Sequence, residues 1–285
     1  MGFIWRKIKP NSWFDAVSVI YAQIMIHAGL LYGEFIVLPW LIETYNVGLV
    51  KICMYHIYAI FIYFNVIGRM WKICSTNTST VGKILPTLLK PGWFYCTICE
   101  ANSPPRAFHC KTCNKCILKR DHHCMFTGKC IGYYTYGQYL LLVFYVWLGT
   151  MFAVIMGFEF TWSYVLGGFS FWSVIYFIFP LICFVTGQLS FYTTAASFLC
   201  LLASVFFVLL TFLMIYHAKH VYYGQVTYER THNVYAYDLG WKINFLSVFG
   251  SKWHLSWIFP MIESPLPGDG IEFVKKENYE NPKNV

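Results

Sequence analysis

Charge is scarce in this sequence. Asp, Glu, Lys and Arg supply 12% of its 285 residues, against about 25% in soluble domains. With apolar residues at 58%, too little polar surface remains to clothe a soluble globular fold. The same figures exclude a disordered chain, a collagen and a coiled coil. Acidic groups are the scarcest, 13 against 21 Lys and Arg, so the net charge is +8. A membrane protein collects such an excess on its cytoplasmic flanks and loops, and no nucleic-acid partner is expected. The 11 cysteines are too few for a small disulfide scaffold. Targeting signals are also missing. Arg6 stands where a myristoylation motif needs Ser or Thr, and the terminal Asn284-Val285 carries no KDEL-type retrieval sequence.

What the chain does have is long apolar runs. A helix crossing a hydrocarbon core of about 30 Å needs about 20 apolar residues. Runs at 15–41 and 48–68 meet that length, and 138–158, 171–187 and 191–216 follow. The first run outlasts the core of a secretory signal, about 7–15 residues, so it reads as a retained anchor. Lys and Arg flank these runs at Arg6, Lys7, Lys9, Arg69, Lys72, Lys83 and Lys90, while Glu43 and Lys51 alone carry charge near the first connection. That asymmetry predicts a cytoplasmic N-terminus and a cytoplasmic segment after Arg69. Pro180 interrupts the short 171–187 run, which reads as re-entrant or non-spanning. The tail, with Lys219, His220, Arg230, Lys242 and Lys252, then returns to the cytoplasm. Glu34, His27, His56 and Gln188 fall within the apolar runs, and none is assigned a role.

The expected fold is therefore an α-helical polytopic membrane protein of four spanning helices plus a re-entrant helix, carrying a small cytoplasmic cysteine-rich domain. Its expected division is a cytoplasmic N-terminus at 1–14, two spans within 15–68, the cysteine-rich domain at 69–137 with its core at 94–134, the remaining spans within 138–216, and a cytoplasmic tail at 217–285.

Seven of the cysteines lie between Cys96 and Cys130, in the order Cys-x2-Cys-x9-His-Cys-x2-Cys-x2-Cys-x4-Asp-His-His-Cys-x5-Cys. Cysteines two residues apart hold one Zn2+ from a tight turn, and metal replaces a hydrophobic core in such islands. The island offers ten donors: Cys96, Cys99, His109, Cys110, Cys113, Cys116, His122, His123, Cys124 and Cys130. Two closed tetrahedral sites consume eight. If each takes three Cys and one His, one thiol and one imidazole remain. Beside Asp121 they make a nucleophile, its base and the base's orienter. The rival reading is a purely structural zinc module with a surplus cysteine, acting in protein binding. Cys53, Cys74, Cys183 and Cys200, scattered through the rest of the chain, read as packing residues.

The island closely resembles the cysteine-rich domain of the DHHC protein S-acyltransferases, or palmitoyltransferases, whose name motif matches Asp121-His122-His123-Cys124. Val226-Thr227-Tyr228-Glu229 resembles that family's Thr-Thr-x-Glu motif, and the run from Leu239-Gly240 through Asn244 to Phe249-Gly250 resembles its C-terminal asparagine motif. With Ser264-Pro265-Leu266-Pro267-Gly268-Asp269-Gly270, the chain looks nearest the divergent animal branch around the twenty-fourth human member. The resemblance implies one zinc on Cys96, Cys99, His109 and Cys116, and a second on Cys110, Cys113, His123 and Cys130. It implies Cys124 as nucleophile, His122 as base and Asp121 as orienter, with Thr227 bonded to Asp121 and Asn244 bracing the tail. The implied activity is ping-pong transfer of a long acyl chain from palmitoyl-CoA, through acyl-Cys124, to a cysteine of a membrane-associated protein. The acyl chain would lie among the spans, and the implied location is the endoplasmic reticulum first and the Golgi second. Any of Arg106, Lys111, Lys115, Lys119, Arg120 and Lys129 could meet CoA phosphates. This sequence departs from the common family pattern at Met125-Phe126, Thr127-Gly128-Lys129, Thr135 and Val226. None of these positions is a metal donor or part of the Asp-His-Cys set.

Overall fold

The computed structural model describes residues 9–280, so Arg6, Lys7 and Asn284-Val285 lie outside the described residues. Four helices are long and apolar enough to cross a membrane: Trp13–Tyr45, Leu49–Ser75, Tyr136–Val165 and Phe191–Tyr222, with mean hydropathies of 1.6, 1.6, 2.2 and 2.9. At about 1.5 Å per residue each exceeds the hydrocarbon core, so their ends project beyond it. A helix meets its backbone hydrogen bonds internally, as lipid requires. Between 6% and 28% of each apolar window is buried within the protein, and the rest is free to face lipid.

The 171–187 run forms no single helix long enough to span. It breaks into Phe171–Ile178 and Pro180–Val185, because proline cannot continue the preceding hydrogen-bond ladder. The second span runs to Ser75, beyond the apolar limit at 68, and the fourth to Tyr222, beyond 216. Hydropathy marks where lipid ends, whereas a helix continues as long as its polar side chains find partners. Arg69 does so while 0% exposed. Its guanidinium donates to Gln138 Oε1 at 2.8 Å, to the Trp257 carbonyl at 2.9 Å and to the Ser256 carbonyl.

The chain divides into two compact units. One comprises Gln23–Val66 and Val143–Leu213. Val37, Leu41, Phe160 and Ala196 form its core, packed by Tyr32, Trp40, Met156 and Val165. Two pairs join polar residues of its helices. Glu34 meets His56 at 2.7 Å, and Tyr63 Oη lies 2.9 Å from His27 Nε2. Pairs of this kind fasten helices where water cannot.

The other unit comprises the described part of Met1–Ala22, Ile67–Leu142 and the described part of Met214–Val285. It contains three two-stranded antiparallel hairpins: β1 (Phe94–Cys96) with β2 (Ala101–Ser103), β3 (Phe108–Cys110) with β4 (Lys115–Ile117), and β5 (His122–Cys124) with β6 (Lys129–Ile131). Strands of three residues are too short to register as a period-two pattern, which is why the island shows no strand signal in sequence. Close packing stands in for a large core. A Cβ on Gly132 would sit 2.6 Å from the Leu118 carbonyl oxygen, so only glycine fits there.

Candidate functional site

The three hairpins share one tip. Each places a left-handed residue four positions after a cysteine: Glu100 (φ 50) after Cys96, Asn114 (φ 49) after Cys110, and Gly128 (φ 62) after Cys124. In the first two, the residue just before it is Cys99 or Cys113, completing a Cys-x2-Cys turn. In the third it is Thr127. The third tip therefore has the fold of a metal turn without the second thiol, which leaves Cys124 without a partner thiol in its own turn.

Strand alternation sorts the remaining donors. His109 pairs with Cys116 across β3–β4, and His123 pairs with Cys130 across β5–β6. His109 and Cys116 join Cys96 and Cys99 in one cluster, while Cys110, one residue on and facing the opposite way, joins Cys113, His123 and Cys130 in another. Within each cluster the ligand atoms lie within 4.8 Å of one another. His109 Nδ1 is 3.2 Å from Cys99 Sγ and 3.7 Å from Cys96 Sγ. His123 Nδ1 is 3.3, 3.5 and 3.7 Å from the thiols of Cys113, Cys130 and Cys110. Zinc–sulfur bonds of about 2.3 Å in a tetrahedron separate neighbouring sulfurs by roughly 3.8 Å, so both donor sets fit a closed zinc site. With four protein donors each, neither has an open position for water, and the role they suit is structural.

His122 and Cys124 flank His123 on β5 and face the side away from the metal donors. Asp121 Oδ2 receives the His122 Nδ1 hydrogen bond at 2.8 Å. The same carboxylate accepts from the Thr227 amide at 2.9 Å and from the Thr227 hydroxyl at 3.0 Å. Burial opposes the Asp121 charge, but the His122 hydrogen bond and charge and the Thr227 amide hold its carboxyl below the usual range. Burial likewise opposes the His122 cation, yet Asp121 and Cys124 outweigh it and lift the imidazole to about 9. Cys124 is buried, which disfavours a thiolate; His122 and Thr127 overcome this and lower its thiol. The arrangement favours a thiolate beside an imidazolium, poised for nucleophilic attack.

The tail holds this set in place. Arg106 donates through Nε and Nη2 to both oxygens of Glu229 at 2.7 Å, and through Nη2 to the Gly224 carbonyl at 2.8 Å. Its guanidinium stacks between Tyr237 (4.2 Å) and Phe273 (4.8 Å). Glu229 Oε2 in turn accepts from the Val226 amide at 2.9 Å, which sets the register of Thr227. Asn244 donates to the Tyr222 carbonyl at 2.8 Å and to Asp238 at 2.7 Å, tying the tail to the end of the fourth span. Arg106 and Lys119 are both buried, so these two of the six basic residues do not present a free surface for phosphate. The departures from the family pattern are accommodated. Val226 is buried, and Thr135 Oγ1 accepts from the Gly132 amide at 3.0 Å.

Sequence reasoning missed several neighbours. Tyr139 lies against the His122 ring at 4.8 Å, and His217 stands 6.2 Å from it while bonding Tyr136 Oη at 3.0 Å. Asp15 reaches His123 from the first span. Nothing local marks these residues; only the return of distant helices brings them here.

A family model described as DHHC palmitoyltransferase matches residues 90–234. Among curated proteins, the chain is similar to "Probable palmitoyltransferase ZDHHC24" of Danio rerio, 38% identical over 199 residues that cover 70% of this chain and 68% of that protein. The proteins of the same name from Rattus norvegicus and Homo sapiens are 32% and 31% identical over 211 residues, covering 73% of this chain and 74% of each.

Proposed function

Because this chain belongs to the DHHC palmitoyltransferase family, we propose that it moves a long acyl chain from palmitoyl-CoA to a cysteine of a membrane-associated protein by way of acyl-Cys124. The observation that carries the reading is the set of buried Asp121, half-buried His122 and buried Cys124, the last two on the face of β5 opposite the metal donors and Asp121 just before the strand. Cys124 attacks the thioester carbon as a thiolate. The bond to the CoA sulfur breaks, and His122 returns the proton to that sulfur. In the second half, His122 takes the proton of the substrate thiol, whose sulfur displaces Cys124 from the acyl group. Asp121 holds His122 in the tautomer with its proton on Nδ1 and offsets the imidazolium charge. Thr227 fixes Asp121 from the tail. Two zinc ions, on Cys96, Cys99, His109 and Cys116 and on Cys110, Cys113, His123 and Cys130, would supply structure without entering the reaction.

The Lys and Arg flanks support a site that faces the cytoplasm, and the family resemblance implies the endoplasmic reticulum first and the Golgi second. The test uses clickable palmitoyl-CoA and purified protein. Hydroxylamine-sensitive label on the wild type and none on Cys124→Ser is expected. Equal label on both, or none on either, would leave a membrane-anchored zinc module that binds a partner without catalysis.

A further inference from the structure

We propose that the start of the first span and the residues just before it form the outer shell of the second metal centre: Asp15, in the first turn, is the carboxylate that orients the ligand His123, and Asn11, ahead of the helix, supports the ligand thiolate of Cys113. The inference rests on the reading of Cys110, Cys113, His123 and Cys130 as a zinc site.

His123 has two ring nitrogens with different tasks. Nδ1 points at the three thiols, so it supplies the lone pair to a metal. Nε2 must then carry the ring proton and needs an acceptor. Both oxygens of Asp15 lie 3.2 Å from it. Asp15 is 2% exposed, and a buried carboxylate requires a partner of this kind. Its backbone amide donates to Ser12 Oγ at 3.0 Å, which places the carboxylate in the first turn of the helix. One turn earlier, Asn11 Nδ2 donates to Cys113 Sγ at 3.3 Å. Further contacts press the same segment onto the third hairpin. Lys129 Nζ donates to the Lys9 carbonyl at 3.0 Å, and a Cβ on Gly128 would stand 3.1 Å from the Pro10 side chain.

A carboxylate on the second nitrogen of a metal-bound histidine fixes its tautomer and ring plane and raises its basicity. Here the carboxylate comes from a membrane helix, far away in the chain. The other centre differs. Among the described residues, His109 has hydrogen bonds only toward Cys96 and Cys99, with no carboxylate behind it. The two ions should therefore be held unequally. The better-braced one anchors β5, the strand that carries His122 and Cys124.

The test reads metal, not activity. Full-length protein in detergent micelles is assayed for zinc by mass spectrometry, then challenged with excess chelator while release is followed with a colorimetric zinc indicator. Wild type should hold two ions and release them in two phases. In Asp15→Ala one phase should quicken by about 10–100-fold while the other keeps its rate, and the isosteric Asp15→Asn should fall between. Cobalt-substituted wild type and Asp15→Asn supply a second reading: the variant should shift the visible bands of one site only. Both release phases within twofold of wild type in both variants, or both quickened alike, would overturn the role of Asp15. A wild type holding fewer than two ions would overturn the metal reading itself, and this inference with it.

Discussion

Removing Arg106 should unseat the tail from the cysteine-rich domain. Its side chain is 4% exposed and that of Glu229 is 6% exposed, so Arg106→Met leaves a carboxylate buried without its cation. Breaking a buried, doubly hydrogen-bonded pair by deleting one partner costs about 3–5 kcal/mol. The stacking on Tyr237 and Phe273 adds roughly 0.5–2 kcal/mol, part of which the Met side chain recovers. For a unit of this size each kcal/mol moves the melting temperature by about 2–4 °C, so a fall of roughly 6–20 °C is expected. The assay is intrinsic tryptophan fluorescence of the purified protein on heating. Arg106→Met/Glu229→Leu should regain most of that loss, because an apolar pair can replace a buried ion pair at little net cost. Acyl transfer should not recover with it, since the double variant also lacks the Glu229 carboxylate that holds the Val226 amide. A shift below about 2 °C for Arg106→Met, or a double variant as unstable as the sum of its singles, would refute the reasoning.

Other outcomes follow from single contacts. Thr227→Ala keeps the amide bond to Asp121 but loses the hydroxyl bond; at about 1.5–3 kcal/mol for a bond to a charged group, autoacylation measured by clickable palmitoyl-CoA should slow by roughly 10–100-fold, and Thr227→Ser should restore it. Lys119 is driven down from 10.5 to about 7 by burial and by Arg106, against the pull of Glu229 and Asp121. Between those two values the unfolded chain holds a proton that the folded chain has released, so this residue makes stability rise with pH across that window. Lys119→Met should flatten that rise in melting temperature, and an unchanged slope would sink the argument. Gly132→Ala, whose new methyl must displace the Leu118 carbonyl, should lower the melting temperature measurably; an unaltered midpoint would show that the hairpin core yields freely.

The four spans and the interrupted 171–187 run were legible because lipid imposes length and apolarity on a sequence with no help from distant contacts. Their ends were not, since the second helix continues past its apolar run where Arg69 reaches Gln138, Ser256 and Trp257. The donor set was legible for a similar reason: thiols and imidazoles in pairs are needed for metal whatever surrounds them. Counting alone left one thiol and one imidazole over without saying which. The resemblance pointed to Cys124 and His122, and the physical ground for the choice appears only in the hairpins. There Thr127 takes the place of a second cysteine, and alternation along β5 turns His122 and Cys124 away from the metal face.

Sequence by itself determined the solvent this chain lives in, the positions of its long apolar runs and the chemistry of its donors, because composition and short spacings act locally. Tertiary structure decided which groups are brought to that chemistry, and of these the family resemblance anticipated only Thr227. Thr227 reaches Asp121, Arg106 reaches Glu229 and Asp15 reaches His123 across separations of 106, 123 and 108 residues. No local periodicity or spacing encodes such pairings. They form because a buried carboxylate must find a donor, and only the closed fold sets which one lies within 3 Å or so of it.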